Sequence, residues 1–288
     1  MANSFMQLYL SRTFKIIKKY KLVLPGDKVF VALSGGKDSG ACLWTIKKYV
    51  HLNNINADVV GFHLNFGLPH SDKVQEVVEK QAKKMECKLE VVNVKDYGID
   101  MQKLDTRKRP MCSYCGTIKR YLLNKVPREL DATKLATGHH MDDFLVFFFK
   151  NLLTRNYAWI TKFKPLLAGN GKMLTRIRPL YEVGGRENEE LCKKEDIPFL
   201  EEDICPYAIL GKRADPKLRK CYELLYSVES WQKDFRLLMI RSMRKVIKYL
   251  PEEKQEYKYC SICGEPTSQE ICGFCKIKNE LEKSKNKN

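Results

Sequence analysis

No stretch of this chain approaches membrane length. The apolar run at 144–149 has six residues, against the roughly 20 that span a bilayer, so no spanning helix is expected. A secretory leader is not expected either: residues 1–26 carry Arg12, Lys15, Lys18, Lys19 and Lys21 and no acid, but no continuous hydrophobic core or small-residue cleavage site. Nor is there the framework of a short secreted disulfide scaffold, because the 11 cysteines are odd in number and spread over 288 residues. Metal or thiol chemistry in a reducing compartment, the cytoplasm, is the expectation. No internal repeat is found. Acids are outnumbered, 35 Asp and Glu against 52 Lys and Arg, and the net charge of +17 points to a polyanionic partner more than to an acidic small metabolite. What is present is a globular balance of 44% hydrophobic and 30% charged residues, which excludes a largely disordered chain. The length suffices for one α/β domain and an appendage.

The periodicity divides the chain into three parts. Residues 1–27 read as a basic amphipathic helix with Phe5, Leu8, Phe14 and Ile17 facing inward. Residues 28–255 read as an α/β domain: an apolar run at 29–33, a glycine turn and a helix over 39–50; a second strand at 59–64 and a helix over 71–85; a third strand at 89–94; and a fourth at 134–138 ahead of a helix from Met141. The alternation implies a parallel sheet flanked by helices, with right-handed crossovers, and ligands then bind where the loops after Leu33, Leu64 and Thr137 converge. A strand pair is expected around 173–178 and a helix over 186–194. Residues 215–250 read as mostly helical, with Trp231, Phe235, Met239, Met243, Val246 and Leu250 on one apolar stripe and Lys233, Arg236, Arg241, Arg244, Lys245 and Lys248 between them. That basic face is either simply solvated or a phosphate-contacting surface. Residues 256–288 are a cysteine module with a basic tail.

Ser34, Gly35, Gly36, Lys37, Asp38 and Ser39 lie between the first strand and its helix. Unpaired N–H groups at a helix start form an anion site, the two glycines let the main chain approach a phosphate, and the serine hydroxyls and Lys37 add donors and charge. A Walker loop would need Ser or Thr after the lysine and a glycine five places before Gly36, where this chain has Asp38 and Val31. The hexapeptide instead resembles the PP-loop of ATP pyrophosphatases, which adenylate a substrate and release pyrophosphate. That resemblance gives Asp38 a part in handling Mg2+ or orienting the reacting groups.

The cysteines sort by spacing. Cys260-x2-Cys263-x8-Cys272-x2-Cys275 forms two CxxC pairs, with Gly264 and Gly273 supplying the turns that bend four thiolates toward one tetrahedral Zn2+ in a small zinc ribbon. So short a module buries little core, and the ion would supply its folding energy. Cys112-x2-Cys115 alone is ambiguous: a redox pair, half a zinc site or an iron-sulfur ligand pair all fit. Cys205, before Pro206, is the candidate third thiol. Cys42, Cys87, Cys192 and Cys221 read as buried and inert.

In chain order, the 34–39 loop, Cys112 and Cys115 followed by Gly116, Lys119 and Arg120, the segment Gly138-His139-His140-Met141-Asp142-Asp143 and Cys205-Pro206 resemble the TtcA/TtuA family of ATP-dependent tRNA thiolases, over residues 28–225. The resemblance implies a 4Fe-4S cluster, or its 3Fe-4S form, on Cys112, Cys115 and Cys205, with one iron left open. It implies that ATP sits on the PP-loop bordered by Ala32, His63 and Gly138, that a pyrimidine C2 oxygen attacks the α-phosphate, and that sulfide held at the open iron displaces AMP. Lys119 would neutralise charge near phosphate, and Asp142 would assist proton transfer or bind magnesium. The C-terminal module points to 2-thiouridine, expected at the wobble position, over cytidine. The implied partners are tRNA and a sulfur donor, either sulfide or a ubiquitin-like sulfur carrier, in a homodimer with no membrane association. Members with fingers carry them at both ends, whereas no cysteine precedes Cys42 here; His140 and Phe147-Phe148 also depart from the usual Gly-His-Asn and Glu-Thr. The competing readings are a non-catalytic zinc-ribbon tRNA-binding protein and a PP-loop ligase using ammonia or another small nucleophile, for which three thiols would be unnecessary.

Overall fold

The computed structural model describes residues 2–202, 204–209, 216–251 and 258–285. The expected boundary at 255/256, the helix start at 215 and the last residues of the basic tail lie outside them. In chain order the elements are α1 (Ala2–Lys19), β1 (Lys28–Leu33), α2 (Lys37–Leu52), β2 (Asp58–Asn65), α3 (Ser71–Lys84), β3 (Lys88–Asn93), α4 (Met111–Glu129), β4 (Lys134–Ala136), α5 (Met141–Leu153), α6 (Tyr157–Ile160), β5 (Leu166–Leu167), β6 (Thr175–Ile177), α7 (Gly185–Lys194), α8 (Pro206–Ile209), α9 (Pro216–Trp231), α10 (Phe235–Val246), β7 (Lys258–Tyr259), β8 (Pro266–Thr267) and α11 (Gly273–Lys285). Among the described residues, no helix is long and apolar enough to cross a membrane.

The main sheet has the order β3-β2-β1-β4-β6-β5. Its strands are parallel, with Val31 opposite both Gly61 and Ala136, except that β5 runs antiparallel to β6. The expected strand pair at 173–178 is therefore one strand, β6, whose partner lies upstream. Alternation along β1 explains the two layers. Val29, Val31 and Leu33 point into one core with residues of α1, α2, α5, α7 and α10, including Ile17, Leu43, Leu145, Leu191 and Ile240. Phe30 points the other way, to Phe62, to Ile118 and Leu122 of α4, and to Phe274, Ile277 and Leu281 of α11. The cysteine module is thus part of the second core and packs against α4. It was expected as an appendage that buries little.

Two apolar stripes fall differently from the sequence expectation. In α1 a 3.6-residue period from Phe5 reaches Tyr9, Thr13 and Ile16–Ile17, which are buried, whereas Leu8 is 48% exposed. At 231–250 the chain turns at Asp234, whose φ of 58° is left-handed, so α9 and α10 are separate helices with separate phases. Trp231 is consequently 73% exposed, and α10 buries Leu237, Ile240 and Met243 instead of Val246.

Candidate active site

The loop after β1 and the start of α2 make an open anion cradle. Gly36 caps α2 with no side-chain hydrogen bond, so the first N–H groups of the helix face outward without a protein acceptor of that kind. Gly35 sits at φ +75° with Val74 and Leu200 against the place of its missing side chain, and its carbonyl accepts from Leu200 N at 3.0 Å. Ser39 Oγ donates to the Gly36 carbonyl at 2.9 Å and accepts from Ser34 N at 3.2 Å. The turn is therefore held from within and from the 197–200 segment, leaving Lys37 at the rim, 3.6 Å from Asp38.

Gly138 closes the cradle from the side of β4. A β carbon there would lie 2.7 Å from the Asp38 carbonyl oxygen and 2.9 Å from Ser39 N, so this loop rests directly on the first turn of α2. His63, at the end of β2, is buried, with Nδ1 3.0 Å from the Leu33 carbonyl. A carbonyl only accepts, so Nδ1 carries the proton and Nε2 is an acceptor, buried and without a protein partner. Burial also holds the imidazole below its ordinary pKa, and hence neutral. Ala32 is half-buried on the opposite side of β1 from Leu33. The loops after β1, β2 and β4 thus converge as the parallel topology requires.

Around this cradle the acids differ in role. Asp38 accepts a hydrogen bond from Asn188 Nδ2 of α7 at 2.9 Å, and His140 Nε2 lies 3.6 Å from the same oxygen. Asp142, expected to move protons or bind magnesium, has a side chain with no exposed surface. Its carboxylate takes Arg236 Nη1 at 2.9 Å, Gly185 N at 2.9 Å and the Tyr226 hydroxyl at 2.8 Å. Burial alone would raise its pKa, but His140 and Arg236 outweigh burial and hold it below the usual aspartate value. Asp142 is thus tied into the interior, linked toward Asp38 by His140, whose Nδ1 is 3.8 Å away, and by α7, which supplies both Gly185 and Asn188. Asp143 is similarly engaged, bonding His140 N and the Tyr222 hydroxyl. Sequence reasoning missed Asn188, and it expected Arg236 on a solvated or phosphate-contacting face where the structure buries it against Asp142. His140, noted only as a departure from the usual pattern, is the residue that joins the three acids.

The second wall is α4. Cys112 and Cys115 stand in its first two turns, half-buried and unbridged, and Lys119 follows one turn on. Desolvation and the charges of Arg178 and Lys119 lower the pKa of His139 to about 4, so the α4 lysine acts electrostatically on the β4–α5 loop. Cys205 is half-buried directly before α8, whose Tyr207 packs against the same apolar cluster as Cys115. Among the described residues the three thiols do not form a group with ligand atoms within 4.8 Å of one another. That rules out one ion held by all three in this geometry. A four-iron cube differs, because it takes each thiolate at a separate corner.

The four thiols of Cys260, Cys263, Cys272 and Cys275 do converge within 4.8 Å. Tetrahedral zinc with bonds of about 2.3 Å sets neighbouring sulfurs about 3.8 Å apart, and Cys263 Sγ lies 3.7 Å from Cys272 Sγ. Cys272 N donates to Cys260 Sγ at 3.2 Å, support that suits a metal-bound thiolate. The module grips α4 along its length: Phe274 stacks on Tyr121 with centroids 4.0 Å apart, and Arg128 pairs with Glu265 at 2.6 Å. Of the remaining cysteines, Cys42 and Cys192 are buried, and burial pushes the Cys192 thiol up to about 12.

The PP-loop domain family matches residues 8–204. The tRNA-5-methyluridine(54) 2-sulfurtransferase of Pyrococcus horikoshii is 33% identical over 277 residues, covering 95% of this chain and 85% of that protein. The enzyme of the same name from Thermotoga maritima is 30% identical over 290 residues, covering 99% and 90%. Among solved structures, the U34-tRNA thiolase NcsA from Methanococcus maripaludis, described with its 4Fe-4S cluster, superposes with a TM-score of 0.76 at 23% identity, covering 95% of this chain and 88% of that one. With a phosphate cradle at the sheet's ligand edge, a thiol-bearing helix beside it and relatives that align along nearly its whole length, the chain belongs to the TtcA/TtuA family of PP-loop, ATP-dependent tRNA sulfurtransferases.

Proposed function

We propose that this enzyme converts a tRNA uridine to 2-thiouridine, and that the target is position 54. The two relatives that align end to end carry that position in their names, and this favours it over the wobble position that the motifs alone suggest. The observation that carries the ATP half of the reading is the open start of α2 beside the orphan His63 Nε2. The N–H groups of 36–39 and Lys37 hold the phosphates, and His63 Nε2 accepts a hydrogen bond from the nucleotide. Asp38, oriented by Asn188, would hold the Mg2+ that accompanies the nucleotide. The uridine C2 oxygen attacks the α-phosphate, the bond to pyrophosphate breaks, and Lys119 offsets the charge that develops.

Cys112, Cys115 and Cys205 would hold a 4Fe-4S cluster, whose chemistry is to carry the incoming sulfur, and Cys260, Cys263, Cys272 and Cys275 would hold Zn2+. Sulfur arrives as sulfide or from a ubiquitin-like carrier, and the protein works as a homodimer. The test is incubation of anaerobically reconstituted enzyme with ATP, sulfide and an unmodified tRNA transcript, followed by nuclease mapping and mass spectrometry. A gain of one sulfur in place of oxygen in the fragment containing position 54, with AMP and pyrophosphate released, is expected. Sulfur in the anticodon fragment alone would move the assignment to the wobble base, and AMP formation without any thiolation would defeat the reading.

A further inference from the structure

Of the six cations expected to make a tRNA surface at 231–250, three are engaged by acids, while Lys233, Lys245 and Lys248 are exposed. Arg236 is buried against Asp142, Glu187 and Glu229, and Arg241 and Arg244 both pair with Glu182. Another segment carries the charge differently. Residues 144–181 contain seven Lys or Arg and no Asp or Glu. Within them every residue from 152 to 157 is exposed. Leu153 is 80% exposed and Trp159 53%, and Lys162 Nζ sits 4.5 Å from the centroid of the Trp159 ring.

This surface is tied to the mouth of the active site. Arg178 follows β6 at the ligand edge of the sheet and donates to the carbonyls of Lys162 and Lys164 at 2.6 and 2.8 Å. Its guanidinium lies 5.1 Å from the centroid of the Phe144 ring, and Phe144 also packs on His139 and Phe163. The Trp159 platform is thus fixed within a few side chains of the β4–α5 loop. From there α5 runs about 20 Å, at 1.5 Å per residue, to the exposed residues at its end.

Resting on the reading that tRNA is the substrate, we propose that this α5–α6 surface is where the tRNA docks, with Trp159 stacking on an unpaired base and Arg155, Lys162 and Lys164 facing phosphates. A base that reacts at C2 must leave its stack, and an exposed indole with the Lys162 ammonium over its ring offers an aromatic platform for a base and a cation for the backbone of the strand it leaves. A second copy of this chain fits worse, because a twofold interface would set this segment, which has seven cations and no acid of its own, against itself.

The test measures affinity of the full-length protein for an unmodified tRNA transcript across a salt series. Trp159→Ala is expected to weaken binding about tenfold, with Trp159→Phe restoring most of it. Arg155→Glu is expected to lower the slope of log K against log salt by about one. Both positions are on the surface, so an unchanged melting temperature shows that the variants are folded. Variants that bind tRNA as tightly as the parent overturn the proposal, whether or not sedimentation shows a changed oligomeric state, which would mark the patch as a self-association face. A parent protein that binds no tRNA would overturn the functional reading itself. Loss confined to the variants supports the docking surface.

Discussion

Gly138 has no room for a methyl group: the nearest atoms belong to the backbone of Asp38 and Ser39, not to side chains that can swing away. Gly138→Ala therefore forces the start of α2 off the β4–α5 loop. A stability loss of about 1–3 kcal/mol is expected from overpacking, together with a fall in ATP affinity of about tenfold or more from the displaced N–H groups; isothermal titration with a nonhydrolysable ATP analogue checks the second. If the affinity is unchanged, Gly138 shapes the fold but not the cradle. At this scale the sequence was informative wherever local geometry does the chemistry. The 34–39 loop is legible because its glycines, hydroxyls and lysine act within one turn. Asn188 is not, because it meets Asp38 across 150 residues and nothing in its own neighbourhood marks it.

Two of the elements that the sequence read as a single stripe, α9 and α10, are clamped to the domain by charge. Tyr222 and Tyr226 of α9 bond Asp143 and Asp142, and Arg236 of α10 reaches Asp142, Glu187 and Glu229. Breaking such a buried pair leaves an uncompensated charge, so Arg236→Met should cost about 3–5 kcal/mol in urea unfolding. The double variant with Asp142→Asn should recover part of that loss, and strict additivity would contradict the pairing. The same clamp gives a pH dependence. Asp142 and Glu182 are both held below their ordinary values, 3.8 and 4.5. Their stabilisation is therefore present above those values and lost as pH falls through the lowered ones. Tryptophan fluorescence from Trp231 should report loosening of α9 and α10 below about pH 4, and a clamp indifferent to acid would refute the assignment. Periodicity located these helices but could not see Asp234 turn the chain between them, because a left-handed residue other than glycine leaves no compositional mark.

Across the whole molecule, the parallel strands and the ligand edge of the sheet follow from the alternation of strand and helix that the sequence displays, whereas the strand order, the antiparallel β5 and the place of the cysteine module do not. Its spacing announces a tetrahedral ion, yet only the three-dimensional structure shows Phe274, Ile277 and Leu281 completing the core beneath α4. Stripping the metal with a chelator, or Cys272→Ser, should therefore destabilise the entire protein. A loss of about 3 kcal/mol or more is expected, a drop in Tm of roughly 6–12 °C, measured by calorimetry alongside zinc content. Melting of the module with the α/β domain unaffected would show that the shared core is not cooperative.

The stacking of Phe274 on Tyr121 has a physiological consequence. The helix that the module braces is the one whose opening turns present Cys112 and Cys115, so under the proposed zinc and cluster assignments the two metal sites are coupled. A cell starved of zinc would hold protein whose thiol helix has lost its support, and its tRNA would be under-thiolated even where iron is plentiful. Nutritional shortage of one metal would then register as a deficiency of the other.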